Sequence, residues 1–167
     1  MRHFLLLTVF GRDALASDKG DAASLVVLLD VGDRVEFASK RTDDALVREL
    51  ARRGFAATPL DGDALSEGAT ASRLEAARLL DPSATVVLVE TEAAFYAQVA
   101  GRYRWTVTAH VTVASNEAGD EPLSREVEVP VFLVYDHQRE ADALAEASVM
   151  LARKVGAVCR DYRDGER

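Results

Sequence analysis

Residues 84–113, ATVVLVETEAAFYAQVAGRYRWTVTAHVTV, decide how this chain folds, because the hydropathy pattern changes within them. Ala84 to Val89 is almost wholly apolar and β-branched, the composition of a strand covered on both faces. From Trp105 onward the pattern alternates. Trp105, Val107, Ala109, Val111 and Val113 share one side, and Thr106, Thr108, His110 and Thr112 share the other. A period of two predicts a strand with one face in the core and one in water. Glu90 to Gly101 joins the two patterns and extends one strand or the other.

Moving toward the N-terminus, Ser24 to Val31 is a second continuous apolar run and predicts a first core strand, which Val35 to Phe37 extends or pairs with. In TDDALVRELARRGF, residues 42–55, Thr42 reads as an N-cap with Asp43 and Asp44 in the first turn, Leu46, Val47, Leu50 and Ala51 as one apolar stripe, and Gly54 as the stop. Phe55 to Leu60 follows as a short strand. After a turn-rich segment, Ser72 and Glu75 have the spacing of a capping box. The helix they would open carries Leu74, Ala77 and Leu80 and ends at Asp81-Pro82. Two apolar strands separated by helices predict crossover connections and at least partly parallel pairing.

Toward the C-terminus, Asn116 to Pro122 is a turn region, and Val127, Val129, Val131 and Leu133 alternate again, completing an antiparallel hairpin. Pro130 places its strand at an edge or at a bulge. From Arg139 to Tyr162, Leu144, Ser148, Leu151, Val155, Val158 and Tyr162 form a stripe that Ala141, Ala145, Ala152 and Cys159 widen enough to cover a sheet face. The prediction is an α/β (α+β) fold: a mixed sheet in two or three layers with crossover helices, an antiparallel hairpin and a C-terminal helix packed on the sheet. Residues 24–162 form a single domain, 1–23 a leader and 163–167 a tail. Within the leader, Met1-Arg2-His3, the apolar run Phe4 to Phe10 and Ala14-Leu15-Ala16 have the order of a secretory signal peptide, but the same run also reads as a buried strand ending at Gly11.

At 167 residues and 49% hydrophobic, the chain buries enough surface to fold without a metal or disulfide. Its 28 acidic and 20 basic residues give a net charge of -8, and the basic residues are interspersed with acids rather than gathered in a stripe. Nucleic-acid affinity comes largely from Lys and Arg contacts to phosphate, so a nucleic-acid partner is disfavoured, as is an anionic lipid surface. Nothing approaches the roughly 20 apolar residues of a membrane-spanning helix. The lone Cys159 reads as a small buried hydrophobe.

The sequence contains no glycine-rich nucleotide fingerprint, P-loop, nucleophile elbow or zinc-protease motif. His3, His110 and His137 are isolated from one another, and no cofactor is expected. One acidic group has the right placement for chemistry. Asp30 and Asp33 lie at the end of the first core strand, and Glu90 and Glu92 follow Val89. If those strands are neighbours, the four could bind a divalent cation or share a proton, the site of a cytoplasmic metal-dependent hydrolase or small-molecule-binding domain. The other candidate is a contact surface. Phe95, Tyr96, Arg102, Tyr103 and Arg104 lie close to Trp105 around Gly101, and aromatics with arginine are enriched at protein interface hot spots.

The order of segments resembles the small periplasmic α/β domains of the curli secretion-channel lipoprotein, the activator lipoproteins of penicillin-binding proteins and the flagellar assembly T protein, with a related domain in the Tol translocation protein. The residues that carry the resemblance are the helix ALVRELARRGF (45–55), the strand SATVVLVE (83–90), the threonine-faced strands and the closing helix, spanning about Ser24 to Tyr162. The resemblance implies a non-enzymatic module of the bacterial cell envelope, periplasmic, binding a protein partner or assembling as a homo-oligomer, with peripheral association at the envelope. Two features depart from the group. No lipid-accepting cysteine follows the N-terminal run, and Asn116 to Glu121 is acidic where a glycine-rich turn is common.

Overall fold

A computed structural model describes residues 21–30, 35–61, 65, 68–117, 119–134 and 139–165. The signal-or-strand run Phe4 to Phe10, along with His3, Asp33 and His137, lies outside the described residues.

The described residues form β1 (Asp21–Asp30), α1 (Val35–Arg52), β2 (Phe55–Leu60), α2 (Thr70–Leu80), β3 (Thr85–Val99), β4 (Arg102–Ala114), β5 (Leu123–Leu133) and α3 (Glu140–Arg163). The strands make one five-stranded mixed sheet in the order β2-β1-β3-β4-β5. β1 runs parallel to β2 and β3, while β3, β4 and β5 form an antiparallel meander. The helices α1 and α2 supply the crossovers that parallel pairing requires. The fold is therefore the predicted mixed α/β arrangement with a closing helix, and Pro130 lies in the edge strand β5.

The change of pattern in the sequence corresponds to a change of layering. On one face, Leu25, Val87, Val89, Val107, Val111 and Val129 pack with Leu46 and Leu50 of α1 and Leu144, Leu151 and Val155 of α3. On the other, α2 buries Leu74 and Ala77 against Val26, Val86, Leu88 and Ala114. The sheet has three layers where α2 lies and two beyond it. Where both faces are covered the sequence is continuously apolar, and where one face is open it alternates.

The helices over the common core meet closely. A Cβ placed on Gly156 would lie 2.6 Å from Nε of Arg53, so a glycine on α3 leaves room for the side chains of Glu49 on α1 and of Arg53 just after it. Arg53 in turn donates from Nε to Glu49 at 3.0 Å. Arg163, expected to open a loose tail, is instead the last residue of α3. It donates to the carbonyl of Arg53 at 2.7 Å and its guanidinium lies 5.2 Å from the centre of the Phe55 ring.

Several boundaries differ from those expected. Helix α1 begins at Val35, so Val35 to Phe37 is not strand and Thr42 is not a cap. Thr42 lies one turn beyond buried Ala38, on the stripe that continues to Leu46 and Leu50, and is itself fully buried with no partner for its hydroxyl among the described residues. The Thr-Asp-Asp signature is real, but a longer apolar stripe overrides it. Helix α2 has Ala69 at its N-cap with no side-chain cap bond, and Glu75 pairs with Arg78 rather than closing a box with Ser72. Strand β1 begins at Asp21, three residues before the expected Ser24, and the Asp21 N–H donates to the carbonyl of Gly54. Cys159 is buried, and desolvation pushes its thiol up to about 12.

Candidate interaction surface

The β3–β4 hairpin extends the sheet past the reach of α2. Its turn is Ala100-Gly101, with φ of 50° and 75°. Positive φ at both central residues is the requirement of the tight hairpin turn whose twist matches the flanking strands. Before the turn the register slips: Phe95 pairs with Trp105 but Ala97 pairs with Arg104, leaving Tyr96 as an extra residue. Such a bulge bends the strand and redirects a side chain.

The structure brings Phe95, Tyr96, Arg102, Tyr103 and Arg104 together at the end of this ribbon, distributed between two faces. On the face toward α3, Phe95 meets Trp105 edge-on at 5.7 Å between ring centres and Tyr103 at 6.4 Å. Trp105 is core, Tyr103 is half-buried against it, and Phe95 remains 53% exposed. On the opposite, open face, the guanidinium of Arg104 lies 4.6 Å from the centre of the Tyr96 ring, and Tyr96 is 66% exposed. Phe132 of β5 pairs with Arg104 in register and is 49% exposed. Sequence reasoning missed Phe132. Its signal was an aromatic residue in the polar phase of the alternation, between inward Val131 and Leu133.

The open face is ordered in rows across β3, β4 and β5. Successive rows are Ala97, Arg104 and Phe132; Ala94, Thr106 and Pro130; Glu92, Thr108 and Glu128; and Glu90, His110 and Glu126. Cations therefore occupy the turn end and carboxylates the middle. Among the described residues, neither Arg102 nor Arg104 has a carboxylate partner, and neither Glu92 nor Glu128 has a cationic one. His110 and Glu126 approach to 3.5 Å at an exposed position.

The acidic alternative fares differently. Parallel pairing does make β1 and β3 neighbours, and Asp30 is in register with Glu92. Glu90, however, is held in an ion pair with Arg73 and accepts a hydrogen bond from Thr70 at 2.9 Å, so its carboxylate serves to fasten α2 to the sheet. Asp33 lies outside the described residues, and among those described no group of three or more His, Cys, Asp or Glu side chains is placed to hold a metal ion.

At the other end of the sheet, Asp21, Phe55, Ser115, Asp120, Tyr162 and Arg163 line an open cleft of about 500 Å³. Tyr162 donates to Asp120 and accepts from the Ser115 N–H at 2.8 Å. Burial, together with the bond to Asp120, raises the pKa of this phenol, so it stays protonated at neutral pH and is neither a base nor a nucleophile there. The network ties the β4–β5 connection to α3.

No protein-family model matches the chain, and no curated protein matches its sequence. Solved structures match at the level of fold. The hypothetical protein CT253 from Chlamydia trachomatis is 13% identical, with 86% of this chain and 97% of that chain covered and a TM-score of 0.54. A protein from Caulobacter crescentus CB15 described as a putative lipoprotein is 15% identical, with 87% and 92% covered and a TM-score of 0.50. The PelC dodecamer from Paraburkholderia phytofirmans is 14% identical over 84% and 87%, with a TM-score of 0.45. The fold is thus one that also occurs in a bacterial lipoprotein. Among the described residues, no helix is long and apolar enough to cross a membrane.

Proposed function

We propose that this chain is a non-enzymatic binding or assembly module of the bacterial envelope, acting through protein contacts made by the turn end of the β3–β4–β5 ribbon. The observation that carries the reading is the set of exposed aromatics Phe95, Tyr96 and Phe132 around Arg102 and Arg104, cations that no carboxylate neutralises among the described residues. Exposed aromatics held on strands lose little entropy on binding, and a guanidinium stacked on a ring is already oriented for a partner. The envelope setting, and within it the periplasm, is supported by the fold held in common with a bacterial lipoprotein and by the signal-like order of the N-terminal residues. The finer resemblance to the curli, penicillin-binding-protein activator and flagellar group belongs to the same proposal.

The test is affinity capture from an envelope extract using the intact protein and the Tyr96→Ala and Arg104→Ala variants. Tyr96→Ala should keep the parent melting temperature within about 2 °C, since exposed substitutions rarely exceed about 0.5 kcal/mol, and the same melt establishes that Arg104→Ala, at a half-buried side chain, is folded. Both should lose the captured partner. Undiminished capture of every partner by both variants would remove this surface from the account. Tyr103 is unsuited to the test, because it packs on the core.

A further inference from the structure

The open face of the ribbon carries both members of its own charge complement. Its free length runs from the turn at Gly101 to the row of His110, beside which α2 begins by gripping Glu90 through Arg73 and Thr70. Thr106 is at the middle of that length, in a row of small or flat side chains with Ala94 and Pro130. Two residues toward the turn comes Arg104. Two residues the other way comes Thr108, flanked by Glu92 and Glu128.

We propose that two copies of this chain pair face to face through the open face of β3, β4 and β5, about a two-fold axis through Thr106. The proposal rests on reading this face as a contact surface and names its occupant. Rotation about that axis lays Arg104 of each copy over the row containing Glu92 and Glu128 of the other. Arg102 likewise lies over the row containing Glu126. Arg104, without a carboxylate partner among the described residues, thus meets Glu92 and Glu128, which have no cationic one there, while Arg102 meets Glu126 beside His110; the arrangement is isologous, so it closes at two copies. Sheets stacked face to face lie about 10 Å apart. The small central row permits that approach, and row 102 of one copy, the last before its turn, reaches the row of His110 beside which α2 of the other begins. An axis through Arg104 itself would set arginine against arginine.

The shared area is small. Rows 102 to 110 extend about 27 Å along three strands spaced about 4.8 Å apart, on the order of 400 Å² per copy. That is half of what a stable standard interface buries on each partner, so the pair is weak and dominated by charge. In sedimentation equilibrium of the purified chain at low salt, the average mass should rise above 18.1 kDa as concentration increases through hundreds of micromolar, and return toward it in high salt.

Arg104→Glu, and separately the double variant Glu92→Arg with Glu128→Arg, should each weaken self-association at least about tenfold, because like charges then face each other. An equimolar mixture of the two variants should associate again, since a cation row meets an acid row at both contacts. Circular dichroism melts establish that both variants fold. A wild-type chain that stays at monomer mass at about 1 mM in low salt overturns the pairing, as does an Arg104→Glu variant that associates like wild type. If the pairing fails while Tyr96→Ala and Arg104→Ala still lose an envelope partner, the surface reading survives with a different occupant. If neither mass nor capture responds, both fall.

Discussion

Strand β3 crosses two environments, and the contrast between its halves locates stability and surface in different parts of one sheet. Val86, Val87, Leu88 and Val89 are fully buried between α2 on one side and α1 and α3 on the other. Phe95, Tyr96 and Val99, on the same strand, are each more than half exposed. Stability should therefore depend on the first half and hardly at all on the outward side chains of the second.

The comparison breaks most visibly at Leu88. Leu88→Ala leaves a cavity between sheet and α2 and should cost about 3 kcal/mol in a chemical denaturation experiment, with the midpoint falling at unchanged slope. Thr42→Val acts in the opposite direction on the covered side. It replaces a buried hydroxyl that has no partner among the described residues with a methyl of nearly the same shape, and should raise stability by about 1 kcal/mol. A smaller gain, about 0.5 kcal/mol, is expected from Ala100→Asn at the ribbon turn, because asparagine tolerates the positive φ that alanine resists. A larger gain there would mean that the ribbon tip contributes more to folding than its exposure suggests.

Titration sharpens the same contrast. Asp81 accepts hydrogen bonds from Ser83 and from Ser24 of β1, which lower its pKa below the ordinary 3.8. The sign follows from proton uptake: the unfolded chain binds the proton first, so the stabilisation is complete above pH 3.8 and is lost as pH falls below it toward the folded pKa. Ser24→Ala should flatten that acid limb in melts taken from pH 5 to 2. Tyr96→Ala, on the open face, should change stability least, by less than about 0.5 kcal/mol at any of these pH values.

Much of this organisation is legible in the sequence because layering writes itself into hydropathy. The apolar run 84–89 and the alternation after Trp105 mark the covered and open parts of the sheet, and Pro130 marks its edge. Local polar signals were poorer guides. Thr42 and Ser72 both look like caps, yet burial of the Ala38–Leu50 stripe extends α1 past the first, and α2 begins at Thr70 without using the second. Proximity in sequence assembled Phe95, Tyr96, Arg102, Tyr103 and Arg104, but could not divide them between faces, because the bulge at Tyr96 shifts the parity of β3. Nor could it supply Phe132, Glu92 and Glu128 as parts of one surface, since their rows exist only once β3, β4 and β5 are in register.

The most direct test of the paired face is cross-linking with a short bis-maleimide at a single introduced cysteine, the native Cys159 being buried with a pKa of about 12. Thr106→Cys places the thiol on the proposed axis, where the two copies of the residue approach to about 10 Å across stacked sheets. Ser124→Cys places it six positions along the ladder, so that its two copies lie about 40 Å apart. A covalent dimer is expected from Thr106→Cys at hundreds of micromolar in low salt, suppressed by Arg104→Glu, and none from Ser124→Cys. Equal cross-linking at the two positions, or none at Thr106, would contradict the pairing.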